Sequence, residues 1–197
     1  MSDDETIQVY NDRVDQYVNC FAPGEADPDL EAFSDMIPHA ARVLDLGCGP
    51  AMASVFMRAA GLNPDPVDAS VEMVRIANET HDINARVAQF TDVQDVAQYD
   101  GVWANFSLLH APRDAMPTHL SALNTALKPD GVLHLGLKLG QGEERDKIGR
   151  FYTYYTEVEL NDLLSGAGFT IAHTRQDSGM GMAGTDDPFI IIRATKD

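Results

Sequence analysis

The sequence predicts an α/β fold with a doubly wound, mainly parallel β-sheet and helices on both faces of the sheet. Short apolar runs alternate along the chain with amphipathic segments of helical length. The first apolar run, VLDL, leads into a glycine-rich turn, and the last, PFIIIRAT, is an unbroken branched run suited to a buried strand. This alternation is typical of parallel sheets in which helices connect successive strands.

The N-terminal segments begin with a polar, tyrosine-bearing helix at about residues 5–20. The acidic break APGEADPD follows it, and a second helix ends near Met36. RVLDL is predicted as the first strand. Residues 50–60 are predicted as a helix that begins with Pro50 at its first position and ends before Gly61.

The remaining segments continue the same alternation. A second strand ends in DPVD, and Ser70 caps the next helix to about Glu79, because its hydroxyl can accept a hydrogen bond from the first helical turn. The later strands are ARVAQF, YDGVWANF, VLHLGLK, TIAHTR and PFIIIRAT, and the later helices are residues 113–127, stopped by KPDG, and EVELNDLLSGAGF.

The composition of the chain indicates which classes of partner and which cellular compartment to expect. A net charge of −17 disfavours nucleic acid and anionic membranes as partners. No apolar run approaches the roughly 20 residues of a membrane span, and the polar start MSDDETIQ is unlike a secretory signal, so a cytoplasmic location is expected. Cys20 and Cys48 have no metal-ligand spacing; we expect free thiols in a reducing compartment and no metal site.

The glycine turn after the first strand indicates the ligand. Ligands of such sheets bind beyond the carboxyl ends of the strands. Gly47 and Gly49 let a ligand approach the backbone, and Asp68, about 20 residues later, can accept hydrogen bonds from ribose hydroxyls. These features fit any cofactor that contains adenosine.

Three residues disfavour a dinucleotide at this turn. Met52 replaces the third glycine of the dinucleotide motif, Pro50 removes an N–H from the helix terminus, and Asp45 repels phosphate while attracting a cation. S-adenosylmethionine (SAM) has an adenosine, a sulfonium and an ammonium but no phosphate. SAM is therefore the expected cofactor, and an NAD-type oxidoreductase is a rival interpretation.

The motif VLDLGCG, with PVDAS after it, resembles that of the class I SAM-dependent methyltransferases. FTDVQDV, YDGVWANFSLLHAP and ALKPDGVLHLGLK are similar to later motifs of the family, and GRFYTYYTEVELNDLLSGAGF resembles small stand-alone bacterial members. The resemblance implies one domain, 1–197, with an N-terminal helical cap (1–38) and a Rossmann-like core (39–197). It also implies seven strands in the order 3-2-1-4-5-7-6, strand 7 antiparallel. The sequence departs from the family in lacking a third glycine in GCGPA and in having Asp130 in the turn KPDG.

The resemblance also implies cofactor-binding residues at the ends of the first four strands. They are Asp45, Gly47 and Gly49 at the methionine moiety, Asp68 at the ribose, Ala69, Met73, Asp92 and Val93 around the adenine, and Asn105 and Phe106 near the sulfonium. Some alternatives stay open. The role of Asp92 can shift to Thr91 or Val93, Asp68 can instead cap a helix, Asp45 can stabilise the turn, and Cys48 fits a small filler better than a nucleophile.

Candidate residues for binding or deprotonating the methyl acceptor lie in four segments. His110, after the fourth strand, is either a general base or a residue that shapes its loop. Tyr10 and Tyr17 share a helix face and either close over SAM or pack in the core. Arg150, Tyr152, Tyr154 and Tyr155 either hold an anionic acceptor or form a strand-like edge, and Met180 and Met182 lie on a predicted mobile loop as candidate pocket walls.

Together these features predict SAM-dependent methyl transfer to a small soluble molecule. The acceptor atom stays open, since oxygen, nitrogen, sulfur, carbon and metalloid methylation share this cofactor site. A SAM-binding regulatory or sensor module without catalysis is the alternative, and the sequence does not indicate an oligomeric state.

Overall fold

The computed structural model describes residues 3–20 and 27–197, with the side chain of Cys20 outside the described part. In these ranges the helices are α1 (Asp4–Asp12), α2 (Val14–Cys20), α3 (Pro28–Ser34), α4 (Met52–Ala59), α5 (Val71–His81), α6 (Met116–Ala126) and α7 (Glu157–Gly166). The strands are β1 (Arg42–Leu46), β2 (Asn63–Asp68), β3 (Arg86–Val87), β4 (Tyr99–Asn105), β5 (Leu127–Lys138), β6 (Glu143–Arg145), β7 (Phe151–Thr153), β8 (Phe169–Met180) and β9 (Asp186–Lys196).

The main sheet has seven strands in the order β3-β2-β1-β4-β5-β9-β8. β1 to β5 pair in parallel, and β9 runs antiparallel to both β5 and β8. The predicted fold class, strand order and antiparallel last strand are confirmed. β6 and β7 form a separate antiparallel hairpin that the sequence analysis did not predict.

Two helices near the predicted site differ from the sequence prediction. The first is interrupted in its interior, and the other begins later than predicted. The helix predicted at 5–20 breaks at Arg13, which caps α1 with φ −123°. The placement of Pro50 at the first helical position is wrong. α4 begins at Met52, because Ala51 adopts a left-handed conformation with φ 62° and ends the turn instead.

The predicted strand lengths also differ from the observed ones. The third strand is reduced to Arg86–Val87, and a 3₁₀ turn at Phe90–Asp92 begins at the last residue of the predicted strand. β8 continues to Met180, so the segment predicted as a mobile loop is partly the arm of a hairpin with β9. KPDG forms a bulge inside β5, between the pairs Tyr99–Leu127 and Gly101–Val132, at the sheet edge opposite the glycine turn.

Alternate residues of β1 pack against opposite faces of the sheet. Val43 joins a cluster with Phe33 and Met57 from α3 and α4, whereas Leu44 and Leu46 join the larger cluster that includes residues of α6 and α7. Because side chains alternate along a strand, Asp45 falls on the face of Val43, and it is buried although charged side chains normally avoid burial. No helix in the described ranges has the length and apolarity needed to cross a bilayer.

An ion-pair cluster attaches α3 to the far edge of the sheet. Asp29 accepts hydrogen bonds from Arg193 of β9, at 3.1 Å, and from Arg175 of β8. Arg193 is 7% exposed, and these arginines hold the pKa of Asp29 below its usual value although burial alone would raise it. The cluster positions α3, whose Leu30 lines the cavity described below.

Replacing Asp29 with alanine is expected to lower the free energy of unfolding by about 3–5 kcal/mol, because the buried Arg193 guanidinium loses its partner. Denaturant titration measures this loss. Arg175→Ala is the control: its side chain is 39% exposed, so the expected loss is below about 1 kcal/mol. Equal losses in the two variants would contradict this interpretation.

Candidate active site

The glycine turn after β1 is built around left-handed backbone conformations. Gly47 and Gly49 have φ +76° and +52°, and the N–H groups of Gly47 and Cys48 both donate to the carbonyl oxygen of Val67 on β2. A Cβ atom on Gly47 would lie 2.4 Å from Cβ of Ser107, so a larger residue does not fit without a shift of the chain.

Asp68 joins the end of β2 to this turn. Its Oδ2 accepts a hydrogen bond from the N–H of Gly49 and its Oδ1 one from the N–H of Ser70, both at 2.8 Å. Burial raises the pKa of this carboxyl, while these two N–H groups oppose the rise. Each carboxylate oxygen can accept a second hydrogen bond, so Asp68 retains acceptor capacity for a ligand hydroxyl.

Asp45 lies beneath the same turn and is 2% exposed. Its Oδ2 accepts a hydrogen bond from Oγ of Ser54 at 2.7 Å. Burial raises the pKa of Asp45 to about 7, and the charge of Asp68 adds to the rise. A carboxyl poised in this way gains from a cation placed beside it, because a nearby positive charge favours the ionised form.

Two adjoining cavities open at the carboxyl ends of the strands, the larger of about 540 Å³ and the smaller of about 80 Å³. Six residues line both: Tyr10, Tyr17, Gly47, Asn105, Phe106 and His110. The smaller cavity is lined in addition by Asp3, Thr6, Ile7, Gly49, Asp68, Ala69, Ser70, Met73, Ala88, Phe90 and Ser107. The larger is lined in addition by Asp27, Leu30, Asp45, Phe56, Trp103, Lys138, Arg150, Tyr152, Met180, Met182, Asp187 and Phe189, among others.

Two residues expected at the adenine, Asp92 and Val93, do not line the smaller cavity. The Asp92 carboxylate accepts the N–H of Gln89 at 2.8 Å, and Val93 lines a separate surface concavity beside α6. From the same stretch of chain, Ala88 and Phe90 line the smaller cavity instead. The short β3 and the 3₁₀ turn after it account for this shift along the chain.

α1 closes over both cavities. Its Tyr10 and α2's Tyr17 meet edge to face, with ring centroids 5.8 Å apart, and Tyr17 lies against the Gly49 turn. Asn11 accepts a hydrogen bond from Oγ of Ser70 at 2.7 Å, and Oγ1 of Thr6 accepts one from the N–H of Phe151 at 2.8 Å. α1 is thus attached to α5 on one side and to the β6–β7 hairpin on the other.

His110 is held between Tyr10 and the backbone of β7. Its Nδ1 lies 2.6 Å from the carbonyl oxygen of Phe151 and its Nε2 lies 2.8 Å from the Tyr10 hydroxyl. Because a carbonyl only accepts, Nδ1 carries the proton and Nε2 accepts from Tyr10. Burial lowers the pKa of His110 to about 4, so the ring is neutral at pH 7.

The two cations that line the larger cavity in the described part of the chain are both paired. Arg150 contacts the Asp146 carboxylate through Nε and Nη2 at 2.9 and 2.8 Å, and its Nη1 donates to the Tyr10 hydroxyl at 3.1 Å. Lys138 lies 2.6 Å from Asp187 and sits over the ring of Tyr152. Each of these two cations is therefore charge-compensated where it faces the aromatic and methionine side chains of the larger cavity.

The remaining tyrosines of the predicted acceptor segment lie outside the cavities. Tyr155 is fully buried in the core, with the Arg113 guanidinium over its ring, and Tyr154 stacks on the outer side of Tyr152. Cys48 is a buried free thiol whose pKa burial raises, so it is poorly nucleophilic. Trp103 and Lys138 were not identified from the sequence, since both lie in strands that are buried over most of their length, where no alternation marks the residues that face a cavity.

Comparison with known proteins identifies the family to which this chain belongs. A family model described as a methyltransferase domain matches residues 19–174. An uncharacterized methyltransferase of Staphylococcus carnosus is 22% identical over 146 residues, which cover 66% of this chain and 70% of that protein.

Solved structures share the fold. The 1,6-didemethyltoxoflavin-N1-methyltransferase of Burkholderia thailandensis, with bound 1,6-didemethyltoxoflavin and S-adenosylhomocysteine, has a TM-score of 0.70 and 23% identity, over 96% of this chain and 87% of that one. The [4+2]-cyclase SpnF has a TM-score of 0.76 and 18% identity, over 96% and 94%.

Asp45 generates a pH-dependent prediction. Its pKa is about 7 in the folded state and 3.8 when unperturbed, so the native state binds more protons than the unfolded state between these values. The unfolding free energy of the wild type, relative to Asp45→Asn, is expected to fall as pH rises from about 4 to about 7, since the buried carboxyl must ionise.

Asp65→Asn is the matched control, because ion pairs and a hydrogen bond from Tyr99 lower the pKa of Asp65 on the neighbouring strand β2. Its contribution has the opposite sign: present above the unperturbed pKa and lost as pH falls through the folded one. Denaturant titrations at several pH values measure both. A flat difference for Asp45 would show that its carboxyl is not shifted.

Proposed function

Because the chain belongs to the SAM-dependent methyltransferase family, we propose that it transfers the methyl group of SAM to a small, compact acceptor molecule. The observation that carries this proposal is the pair of adjoining cavities. One is lined by the glycine turn and Asp68, the other by aromatic side chains, and both meet at Asn105 and Phe106.

The residues of the smaller cavity fit the nucleoside part of SAM. Asp68 has free acceptor capacity at the end of β2, and the glycine turn offers backbone without side chains. Ala69, Met73, Ala88 and Phe90 supply apolar walls for a base. Asp45 would lie toward the cationic part, where a positive charge favours its ionised form. When bound, SAM supplies an electrophilic methyl group on its sulfonium.

The larger cavity supports a compact and at most weakly charged acceptor. Arg150 and Lys138 are each paired with a carboxylate, so neither is free to balance a multiply charged anion such as a phosphate ester. Trp103, Phe56 and Phe189 offer aromatic surface for a planar molecule. α1 lies over the opening, and exclusion of water strengthens the positioning on which methyl transfer depends.

Tyr10 and His110 can take up a proton released by the acceptor. The Tyr10 hydroxyl donates to Nε2 of His110 and accepts from Arg150, which leaves its oxygen able to accept one further hydrogen bond from the cavity. A hydroxyl acceptor can pass its proton to that oxygen while Tyr10 passes its own to Nε2. The low pKa of His110 suits a methyl acceptor whose hydroxyl proton becomes strongly acidic as the oxygen is methylated.

A SAM-binding sensor without catalysis is the second candidate. The cofactor cavity alone is enough to support SAM binding without catalysis. The structural similarity to a [4+2]-cyclase is consistent with the use of this fold for more than one activity. The buried proton-accepting pair beside the larger cavity favours catalysis, because a sensor needs no such group.

The partner and compartment assigned from composition are also part of this proposal. The net charge of −17 supports a soluble acceptor rather than nucleic acid or an anionic membrane, and a cytoplasmic location supplies SAM.

Asp68→Ala is expected to weaken SAM binding by about 1–3 kcal/mol, through loss of hydrogen bonds to the ribose. Isothermal titration measures the affinity, and circular dichroism checks the fold, because Gly49 and Ser70 also lose a partner. Asp92→Ala is the comparison, since Asp92 lies outside both cavities. A larger loss for Asp92 would restore the adenine contact that the sequence predicted and contradict the observed lining.

Catalysis is tested by turnover with methyl-labelled SAM over small phenols, heteroaromatic hydroxyl and amine compounds, thiols, a phosphorylated analogue, tRNA and a denatured protein. Methylation of uncharged or singly charged compact acceptors is expected, with a reduced rate for Tyr10→Phe, which removes the proton acceptor. Tight SAM and S-adenosylhomocysteine binding with no product favours the sensor. Transfer to tRNA or protein alone contradicts the size argument.

A further inference from the structure

The junction of the two cavities is shaped by β5, the strand beside β4. In the parallel register Trp103 pairs with His134 and Asn105 pairs with Gly136. Trp103 lines the larger cavity and Asn105 lines both, whereas His134 is fully buried beneath them. Its ring stacks on the Trp103 indole, with centroids 3.6 Å apart.

β5 receives the oxygen of the Asn105 carboxamide. Oδ1 lies 3.1 Å from Nε2 of His134. A Cβ atom on Gly136 would lie 2.3 Å from the same oxygen, so the glycine provides the space that the oxygen fills. His134 and Gly136 are two residues apart and therefore lie on the same face of β5. Together they fix the oxygen end of the Asn105 amide.

The protonation of His134 follows from its other ring nitrogen. Nδ1 is buried with no hydrogen-bond partner. A proton on Nδ1 would leave a buried donor unsatisfied, whereas a proton on Nε2 is used in the bond to Asn105. The Nε2–H tautomer is therefore favoured, and an N–H donor requires the oxygen, not the nitrogen, of the amide opposite it.

The amide nitrogen of Asn105 is consequently turned away from β5. Among the described residues Nδ2 has no hydrogen-bond partner, yet it is not one of the buried unsatisfied polar atoms. Since Asn105 lines both cavities, the two amide N–H bonds are open to their junction. A donor group is thus presented where the acceptor molecule must approach the methyl group.

We propose that His134 is a positioning residue that holds the Asn105 amide as a hydrogen-bond donor, and that this donor selects acceptors with a lone pair beside the atom to be methylated. An unprotonated ring nitrogen or a carbonyl oxygen meets this requirement. An ammonium group does not, because it can only donate. The inference rests on the proposed methyl transfer and names the substrate class of the same site.

The structural half of the proposal is tested without an acceptor. Nitrogen-15 NMR of the holoprotein with S-adenosylhomocysteine distinguishes the imidazole tautomers. We expect His134 with the proton on Nε2. A proton on Nδ1 overturns the proposal, because Nε2 would then accept from the amide and turn its oxygen toward the cavity.

The selective half is tested with two probes of one shape, 8-hydroxyquinoline and 1-naphthol, binding to protein saturated with S-adenosylhomocysteine in the presence of a chelator. Only the first carries a ring nitrogen beside its hydroxyl. The expected preference for 8-hydroxyquinoline is about tenfold in the wild type, the effect of one hydrogen bond in a shielded site.

His134→Phe keeps a ring against Trp103 but removes the donor, and the preference is expected to fall to about twofold or less. His134→Gln, which retains an N–H donor, is expected to restore most of it. Unchanged S-adenosylhomocysteine affinity in both variants separates acceptor selection from cofactor binding. Equal affinity of the wild type for the two probes, or no binding of either, overturns the proposal, as does a preference that survives in His134→Phe. Failure of S-adenosylhomocysteine to bind the wild type would instead contradict the proposed function.

Discussion

The hydrogen bond from the N–H of Gly49 to the Asp68 carboxylate is the constraint on which the site depends. It joins the turn after β1 to the end of β2 and holds the glycine backbone open at the carboxyl edge of the sheet. Asp68 is partly buried, and that bond and the one from the N–H of Ser70 offset part of the cost of removing its carboxyl from water. The same arrangement leaves acceptor capacity for a ligand.

The rest of the site is assembled around this edge by elements distant in sequence. α1 crosses the strand ends and is tied to α5 through Asn11 and to the β6–β7 hairpin through Thr6. This crossing brings the Tyr10 hydroxyl to His110 and Arg150, so that this hydrogen-bonded group forms only when the N-terminal helix is in place. β5 lies beneath the cavities and contributes in another way, because His134 and Gly136 set the orientation of the Asn105 carboxamide. The polar groups of the site therefore come from α1 on one side and from β5 on the other.

The sequence predicted those features that local chemistry determines. Gly47, Gly49 and Asp68 were identifiable because a strand, a left-handed turn and an acidic strand end recur at fixed spacing in this architecture. Asp92 and Val93 were expected at the cofactor but do not line the smaller cavity, since the length of β3 depends on packing rather than on its own residues. Trp103 and His134 gave no signal, because period-two patterning is lost in strands buried on both faces. The roles of Tyr152 and Tyr155 could not be separated until the hairpin showed which ring faces the cavity.

A crystal structure of the protein with S-adenosylhomocysteine tests the central claim most directly. Ribose hydroxyls are expected within hydrogen-bond distance of Asp68, with the Gly49 N–H still bound to its Oδ2, and the sulfur is expected beside Asn105 and Phe106. A nucleoside bound elsewhere, or a ribose turned away from an intact Asp68–Gly49 pair, would contradict it.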